Sequence, residues 1–167
     1  MRTLDNAEID GIAKAWLIKV VQSFSLHGQP FLEQKKDPFR NPMGHAIQEN
    51  LPIVLQEILG GMDRARLAAA LEAIVRIRAV QEATPSKAVE FLFQLSSILR
   101  EQWKAWPDAQ EEVMQHTQQA ALIAFDLYMA CREKIFALRA DEARRRTAQL
   151  ERVYQKLEAQ SMEAEPR

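Results

Sequence analysis

The amino-acid sequence predicts an all-α protein, a bundle of about five or six helices with a projecting C-terminal helix. Three observations predict this class. Apolar residues recur at steps of three and four through most of the chain, which is the period of an amphipathic helix. Residues 109–160 contain neither proline nor glycine, so one long helix can run through them. No segment alternates polar and apolar residues for long enough to indicate a strand.

Capping residues and helix breakers divide the first two thirds of the chain into four predicted helices. Asp or Asn precedes three of them and Thr84-Pro85 opens the fourth, as is common at helix N-termini. Pro52 lies inside the second helix and removes one backbone donor, so we expect a kink there. We expect a loop over residues 30–41, and the approximate helix ranges are 6–26, 42–59, 64–82 and 85–105.

The long fifth helix has two apolar faces up to Leu138, so we expect this part to be buried on two sides. The first face is formed by Val113, Ala120, Ala124, Leu127, Cys131 and Leu138. The second face is formed by Leu122, Phe125, Met129 and Phe136.

After Leu138 the same helix becomes strongly charged, with ten Asp, Glu, Lys or Arg residues among the 20 at 139–158. A heptad pattern nevertheless persists, with apolar or small residues at alternating steps of four and three. We call these positions the C-terminal seam, and they predict a coiled-coil contact in a homodimer. The alternative is a solvated helix whose narrow stripe packs on its own domain. The seam consists of Ala143, Thr147, Leu150, Tyr154 and Leu157.

Composition excludes several classes of partner. The net charge of −1 provides no field to attract nucleic acid or an acidic membrane, and acidic residues flank the basic run 144–146. The most apolar segment, 120–130, contains Asp126 and is too short to span a bilayer. A single cysteine, Cys131, excludes an internal disulfide and fits a reducing compartment. We therefore expect a cytoplasmic protein that neither binds nucleic acid nor inserts into membranes.

The sequence contains no motif of a nucleotide site, a zinc site or a hydrolase nucleophile. GxGxxG, GxxxxGK[ST], CxxC, HExxH and GxSxG are all missing. His27, His45 and His116 lie at helix ends or in first turns, without a second ligand at a metal-binding spacing. We therefore predict no metal, no cofactor and no enzymatic activity.

Arg78 is the most unusual residue of the third predicted helix. On a wheel of about 100° per residue it points in the direction of Leu67, Leu71 and Ile74, whereas Arg76 points the opposite way. A buried cation is costly unless it is paired. One interpretation is therefore a buried pair that fixes the packing of helices. The acceptor would be a carboxylate or a carbonyl, with Asp126 preferred, then Glu82 or Glu90.

The other interpretation is a polar pocket for a small anionic or amphipathic ligand. Arg78, Gln81 and Asp126 would form it, and the same three residues would carry any enzymatic activity of the chain. Residue spacing alone leaves both interpretations open.

Three stretches of the chain resemble a known domain. They are FRNPMGHAIQENL at 39–51, AIVRIRAVQEATPSKAVEFLFQLSSILRE at 73–101 and AFDLYMACREKIFALRADEARRRT at 124–147. Over about residues 8–150 the chain resembles the N-terminal domain of the RsbT co-antagonist RsbRD. The resemblance implies a globin-like, non-haem sensor domain of bacterial stress signalling, which dimerises and passes signals along its C-terminal helix.

Relatives of this kind continue into a STAS domain or a kinase, so a chain of 167 residues is expected to be a stand-alone form. We expect a helical sensor-type domain at 1–139, a heptad extension at 140–160 and a flexible tail at 161–167. The expected partners are a second copy and an unidentified signalling protein. The alternatives are a haem- or cofactor-binding globin-like protein and an enzyme built on Arg78. Helices 64–82 and 85–105 lack His, Cys and Tyr, which agrees with a non-haem fold.

Overall fold

A computed structural model describes residues 6–24, 42–102 and 110–163 of the chain. Within these ranges there are five α-helices and no strand, so the predicted all-α class with a long C-terminal helix is confirmed. The predicted loop at 30–41 lies outside the described residues. The helices are α1 (Asn6–Phe24), α2 (Pro42–Leu59), α3 (Arg64–Val80), α4 (Pro85–Gln102) and α5 (Gln110–Glu163).

The chain forms two compact units, divided between Cys131 and Arg132, and the domain boundary expected at residue 139 stays a prediction. In the first unit α1 packs against α2 and α4, and α3 packs against α2 and α4. Trp16 lies at the centre of this core, stacked on Phe91 with ring centroids 6.0 Å apart. Its indole Nε1 donates to the carbonyl oxygen of Phe91 at 2.8 Å, so the single polar group of this buried ring is satisfied.

The corner between α2 and α3 shows the predicted capping. The Asp63 carboxylate accepts hydrogen bonds from the backbone nitrogens of Ala65 and Arg66, at 2.9 and 3.1 Å. Gly60 is required because a Cβ atom there would lie 2.9 Å from the carbonyl oxygen of Gln56. Pro52 lies inside α2 at an exposed position, and the kink expected there stays a prediction.

Only one of the two apolar faces predicted for α5 is buried in the first unit. Of the first predicted face, Val113, Ala120 and Ala124 are buried, Leu127 and Cys131 are half-buried, and Leu138, in the second unit, is exposed. Thr117, Ala121 and Tyr128 are buried on the same side of the helix. On the second face Leu122, Phe125 and Met129 are 69%, 42% and 37% exposed, so the expectation of burial on two sides is wrong for this unit. The helices of a single chain cover one side of α5 and leave the other in solvent.

Candidate functional site

Arg78 lies on the side of α3 that faces the core, as the helical wheel predicts. The residue is 5% exposed, among the buried Ile74 and Val75. Arg76, two positions earlier, is exposed and pairs with Glu72 at 2.7 Å. The predicted orientation of α3 is therefore confirmed.

The guanidinium of Arg78 caps the C-terminus of α1. Its Nη2 donates to the carbonyl oxygen of Ser23 at 2.8 Å and to the Ser23 Oγ at 3.1 Å, and that hydroxyl donates to the carbonyl of Val20 at 2.8 Å. The last carbonyls of a helix have no intrahelical donor, and they form the negative end of its dipole. A cation from α3 therefore satisfies the end of α1.

Two opposing effects act on the charge of Arg78. Burial lowers the pKa of the guanidinium, and the negative charge of Glu90 raises it. The pKa of an arginine guanidinium lies far above neutral pH, so the side chain stays charged there. The first unit thus contains a permanent cation with little exposure to water.

The backbone that follows Arg78 connects α3 to α5. The carbonyl of Arg78 accepts from the backbone nitrogen of Ala83 at 3.1 Å, and the carbonyl of Ala83 accepts from the Tyr128 hydroxyl on α5. Ser23, Arg78, Ala83 and Tyr128 together form what we call the Arg78 junction. It ties the end of α1, the end of α3 and one position of α5 to each other.

The residues that the sequence grouped with Arg78 differ in their exposure to solvent, and their grouping into one site stays a prediction. Gln81 is the half-buried C-cap of α3, and its backbone nitrogen donates to the carbonyl of Ile77 at 3.0 Å. Asp126, the partner preferred from the sequence, lies at an exposed position of α5. The Nη2 of Arg78 donates to Ser23, which supports the structural interpretation of this arginine.

Sequence reasoning missed Ser23 and Tyr128. The need for a donor near Ser23 was predictable, because the last carbonyl groups of a helix have no donor within that helix. Nothing in the spacing of residues indicates that a side chain on α3 reaches that helix end. Tyr128 follows the buried Ala121 and Ala124 at helical steps, so its burial was predictable although its acceptor was not.

Glu57 is a second buried polar residue that the sequence did not reveal. Its carboxylate accepts from the backbone nitrogen of Asp63 at 2.9 Å and lies 3.2 Å from the guanidinium of Arg66. The side chain is 7% exposed. Glu57 therefore fixes the α2–α3 corner from inside, while Asp63 caps α3 from outside.

The histidines in the described ranges make contacts expected of structural residues. His45 lies 3.1 Å from Glu49 one turn later, on the surface, as its spacing predicted. The Nδ1 of His116 donates to the carbonyl of Ile58 at 2.9 Å, which satisfies the end of α2. His27 lies outside the described residues. Across residues 6–24, 42–102 and 110–163 there is no group of three or more His, Cys, Asp or Glu that could hold a metal.

All five positions of the C-terminal seam are exposed, in the second unit. Leu150, Tyr154 and Leu157 are each more than half exposed, and Val153, which the seam did not include, is exposed as well. The hydroxyl of Thr147 is satisfied within the helix by the carbonyl of Ala143 at 3.1 Å. The described second unit therefore presents an apolar stripe to solvent.

The five described helices and the Arg78 junction define an all-α domain. The model of the family described as the RsbT co-antagonist protein rsbRD N-terminal domain matches residues 10–145. The match covers most of the chain, so the chain belongs to this family, whose members are regulatory domains of stress signalling.

No curated protein and no solved structure matches the chain significantly. Among the described helices, none is both long and apolar enough to cross a membrane.

Proposed function

We propose that this chain is a cytoplasmic sensory domain of stress signalling that acts as a homodimer through contacts with other proteins. Membership of a signalling-domain family supports this role. The observation that carries the dimer is the exposed apolar stripe of the second unit, formed by Leu150, Val153, Tyr154 and Leu157. Monomeric proteins rarely expose large apolar side chains in such a continuous row.

The charged surroundings of this stripe strengthen the proposal. Ion pairs link Arg144 to Asp141 at 3.1 Å and Arg146 to Glu142, each between residues about one turn apart on the exposed helix. Charged residues and ion pairs are sufficient to keep a helix soluble, so they do not account for apolar residues at heptad spacing. Those residues are explained when a second helix covers them.

The Arg78 junction provides a route by which a structural change in α1 or α3 is transmitted to α5. Tyr128 and the C-terminal seam both belong to α5, which is a single continuous helix. A change in the packing of α1 or α3 would alter the contact of Ala83 with Tyr128 on that helix. We propose that this contact is where a signal received by the first unit enters α5.

Sedimentation velocity on the full chain tests the dimer. The double variant Leu150→Glu, Leu157→Glu places charges in the seam and should raise the dimer dissociation constant by roughly 100-fold, since burying a charge in an apolar contact is costly. The matched control is Gln149→Glu, Gln155→Glu, which adds the same charge to the same helix away from the seam. The control should stay within about threefold of the unchanged chain.

Equal sedimentation of the seam variant and its control would contradict the proposed interface. A native mass spectrum of the unchanged chain reports the number of copies and any retained small molecule in one measurement. A retained anion that is lost on Arg78→Lys would favour the pocket interpretation of Arg78, Gln81 and Asp126.

A further inference from the structure

The turn that ends α3 contains a residue in an unfavourable backbone conformation. Glu82 has a φ of 58°, which lies in the left-handed region that residues with a Cβ atom disfavour. Its backbone nitrogen donates to the carbonyl of Ala79 at 3.3 Å, and the nitrogen of Ala83 donates to the carbonyl of Arg78 at 3.1 Å. This pair of hydrogen bonds is the Schellman motif, in which the left-handed position is usually glycine.

The local sequence favours a different end for α3. Gln81, Glu82 and Ala83 are all good helix formers. Thr84 precedes Pro85, and the residue before a proline avoids the helical conformation, so an extended α3 would end at about Ala83. The intrinsic preference of these residues therefore opposes the conformation that the turn adopts.

The turn and the extended helix use the same backbone groups. In a continued α-helix each nitrogen donates to the carbonyl four residues earlier, so the Glu82 nitrogen would donate to Arg78 and the Ala83 nitrogen to Ala79. The observed turn has these two donors exchanged between the same two acceptors. Conversion of the turn into helix therefore keeps both hydrogen bonds in number and requires a change in the φ of Glu82.

A side chain on α5 distinguishes the two arrangements. The Tyr128 hydroxyl donates to the carbonyl of Ala83, 45 positions earlier in the chain. The position of that carbonyl depends on the φ of Glu82, because Ala83 is the next residue. Tyr128 is buried, so its hydroxyl meets the carbonyl only where the turn presents it. This hydrogen bond therefore stabilises the left-handed turn relative to the extended helix.

We propose that the α3–α4 corner is a two-state switch, in which the Tyr128 hydroxyl holds Glu82 in the left-handed turn and withdrawal of Tyr128 lets α3 extend to Ala83. The inference rests on the proposed transmission through Tyr128 and names the element that changes. A ligand or contact that moves α5 releases the turn, and by linkage an extension of α3 releases Tyr128. Arg78 supplies one of the two shared acceptors while its guanidinium caps α1, so the switch also reaches the end of α1.

The conformation of Glu82 in solution tests the proposal by nuclear magnetic resonance. In the unchanged full chain, the three-bond couplings of Glu82 that depend on φ should report the left-handed turn. Tyr128→Phe removes only the hydroxyl, and the loss of one such hydrogen bond should raise the ratio of extended helix to turn by about fivefold. Relaxation dispersion of the amides of residues 81–83 detects the extended helix even when it is the minor state.

Glu82→Gly in the Tyr128→Phe background provides a rescue. Glycine removes the steric cost of the left-handed conformation, so it should reverse the shift by a similar factor. The matched control is Met62→Gly in the same background, since Met62 also has a positive φ, 52°, and lies at the α2–α3 corner. The control should leave the couplings and the dispersion of Glu82 as they are in Tyr128→Phe.

Two results would overturn the inference. One is a Tyr128→Phe chain in which the couplings and the dispersion at Glu82 are the same as in the unchanged chain. The other is an equal response of Glu82 to Glu82→Gly and to Met62→Gly.

The outcome can be separated from that of the proposed function. If Glu82 keeps its left-handed conformation in Tyr128→Phe while hydrogen exchange along α5 changes, transmission through Tyr128 stands and the switch does not. If Glu82 shifts toward the helix while exchange along α5 is unchanged, the switch stands and the proposed transmission does not. The seam variants test the dimer independently of both.

Discussion

The Nη2 atom of Arg78 lies 2.8 Å from the carbonyl oxygen of Ser23, a residue 55 positions earlier in the chain. A cation on α3 thus completes the C-terminus of α1. The contact joins α1 and α3 through a polar group. It explains how an arginine is accommodated in an otherwise apolar stripe.

Replacing Arg78 by alanine should therefore be strongly destabilising. The change leaves the end of α1 without its donor in a buried place and removes the packing of the arginine stem, a loss of about 3 kcal/mol. Urea unfolding gives the difference in the free energy of unfolding. The control Arg76→Ala removes an exposed arginine from the same helix, and its midpoint should be unchanged. Equal midpoints for the two variants would mean that the Ser23 contact contributes nothing.

Glu57 should behave in the same way at the α2–α3 corner. Glu57→Ala removes the acceptor of the Asp63 backbone nitrogen and the partner of Arg66, so we expect a loss of about 2 kcal/mol in the free energy of unfolding. Glu49→Ala, which removes an exposed carboxylate from the same helix, is the control and should leave the melting midpoint unchanged. A Glu57 variant as stable as its control would show that Asp63 alone fixes the corner.

The sequence was sufficient to predict the all-α fold and the side of α3 that faces the core. Helical periodicity, Asp63 and the glycines that follow α2 predicted the described helices to within a few residues. Helical periodicity also predicted that Arg78 is buried, because burial follows from the face of one helix. The acceptor on Ser23 could not be predicted, because it depends on how two helices cross. The exposure of Leu122 could not be predicted either, since it depends on which side of α5 the other helices cover.

Absence of haem binding is a further prediction. The described helices α3 and α4 contain no histidine. A haem globin needs an axial ligand on a helix that lines its pocket. The purified protein should be colourless, and haem titration should give no saturable Soret shift in an absorbance scan. A stoichiometric Soret band would contradict the non-haem assignment.

Tyr128→Phe tests the link between the Arg78 junction and α5. The change removes only the hydroxyl that donates to the carbonyl of Ala83, and the ring keeps its buried position. Losing one hydrogen bond to a part-buried acceptor should cost about 1 kcal/mol in the free energy of unfolding. Tyr154→Phe removes a hydroxyl from an exposed ring of the same helix and should leave the melting midpoint unchanged.

If Tyr128 is also the point at which a signal enters α5, hydrogen exchange should become faster in the turn around Ala83 and along the neighbouring part of α5 in Tyr128→Phe alone. Identical hydrogen-exchange rates in both variants would mean that Tyr128 contributes only to packing.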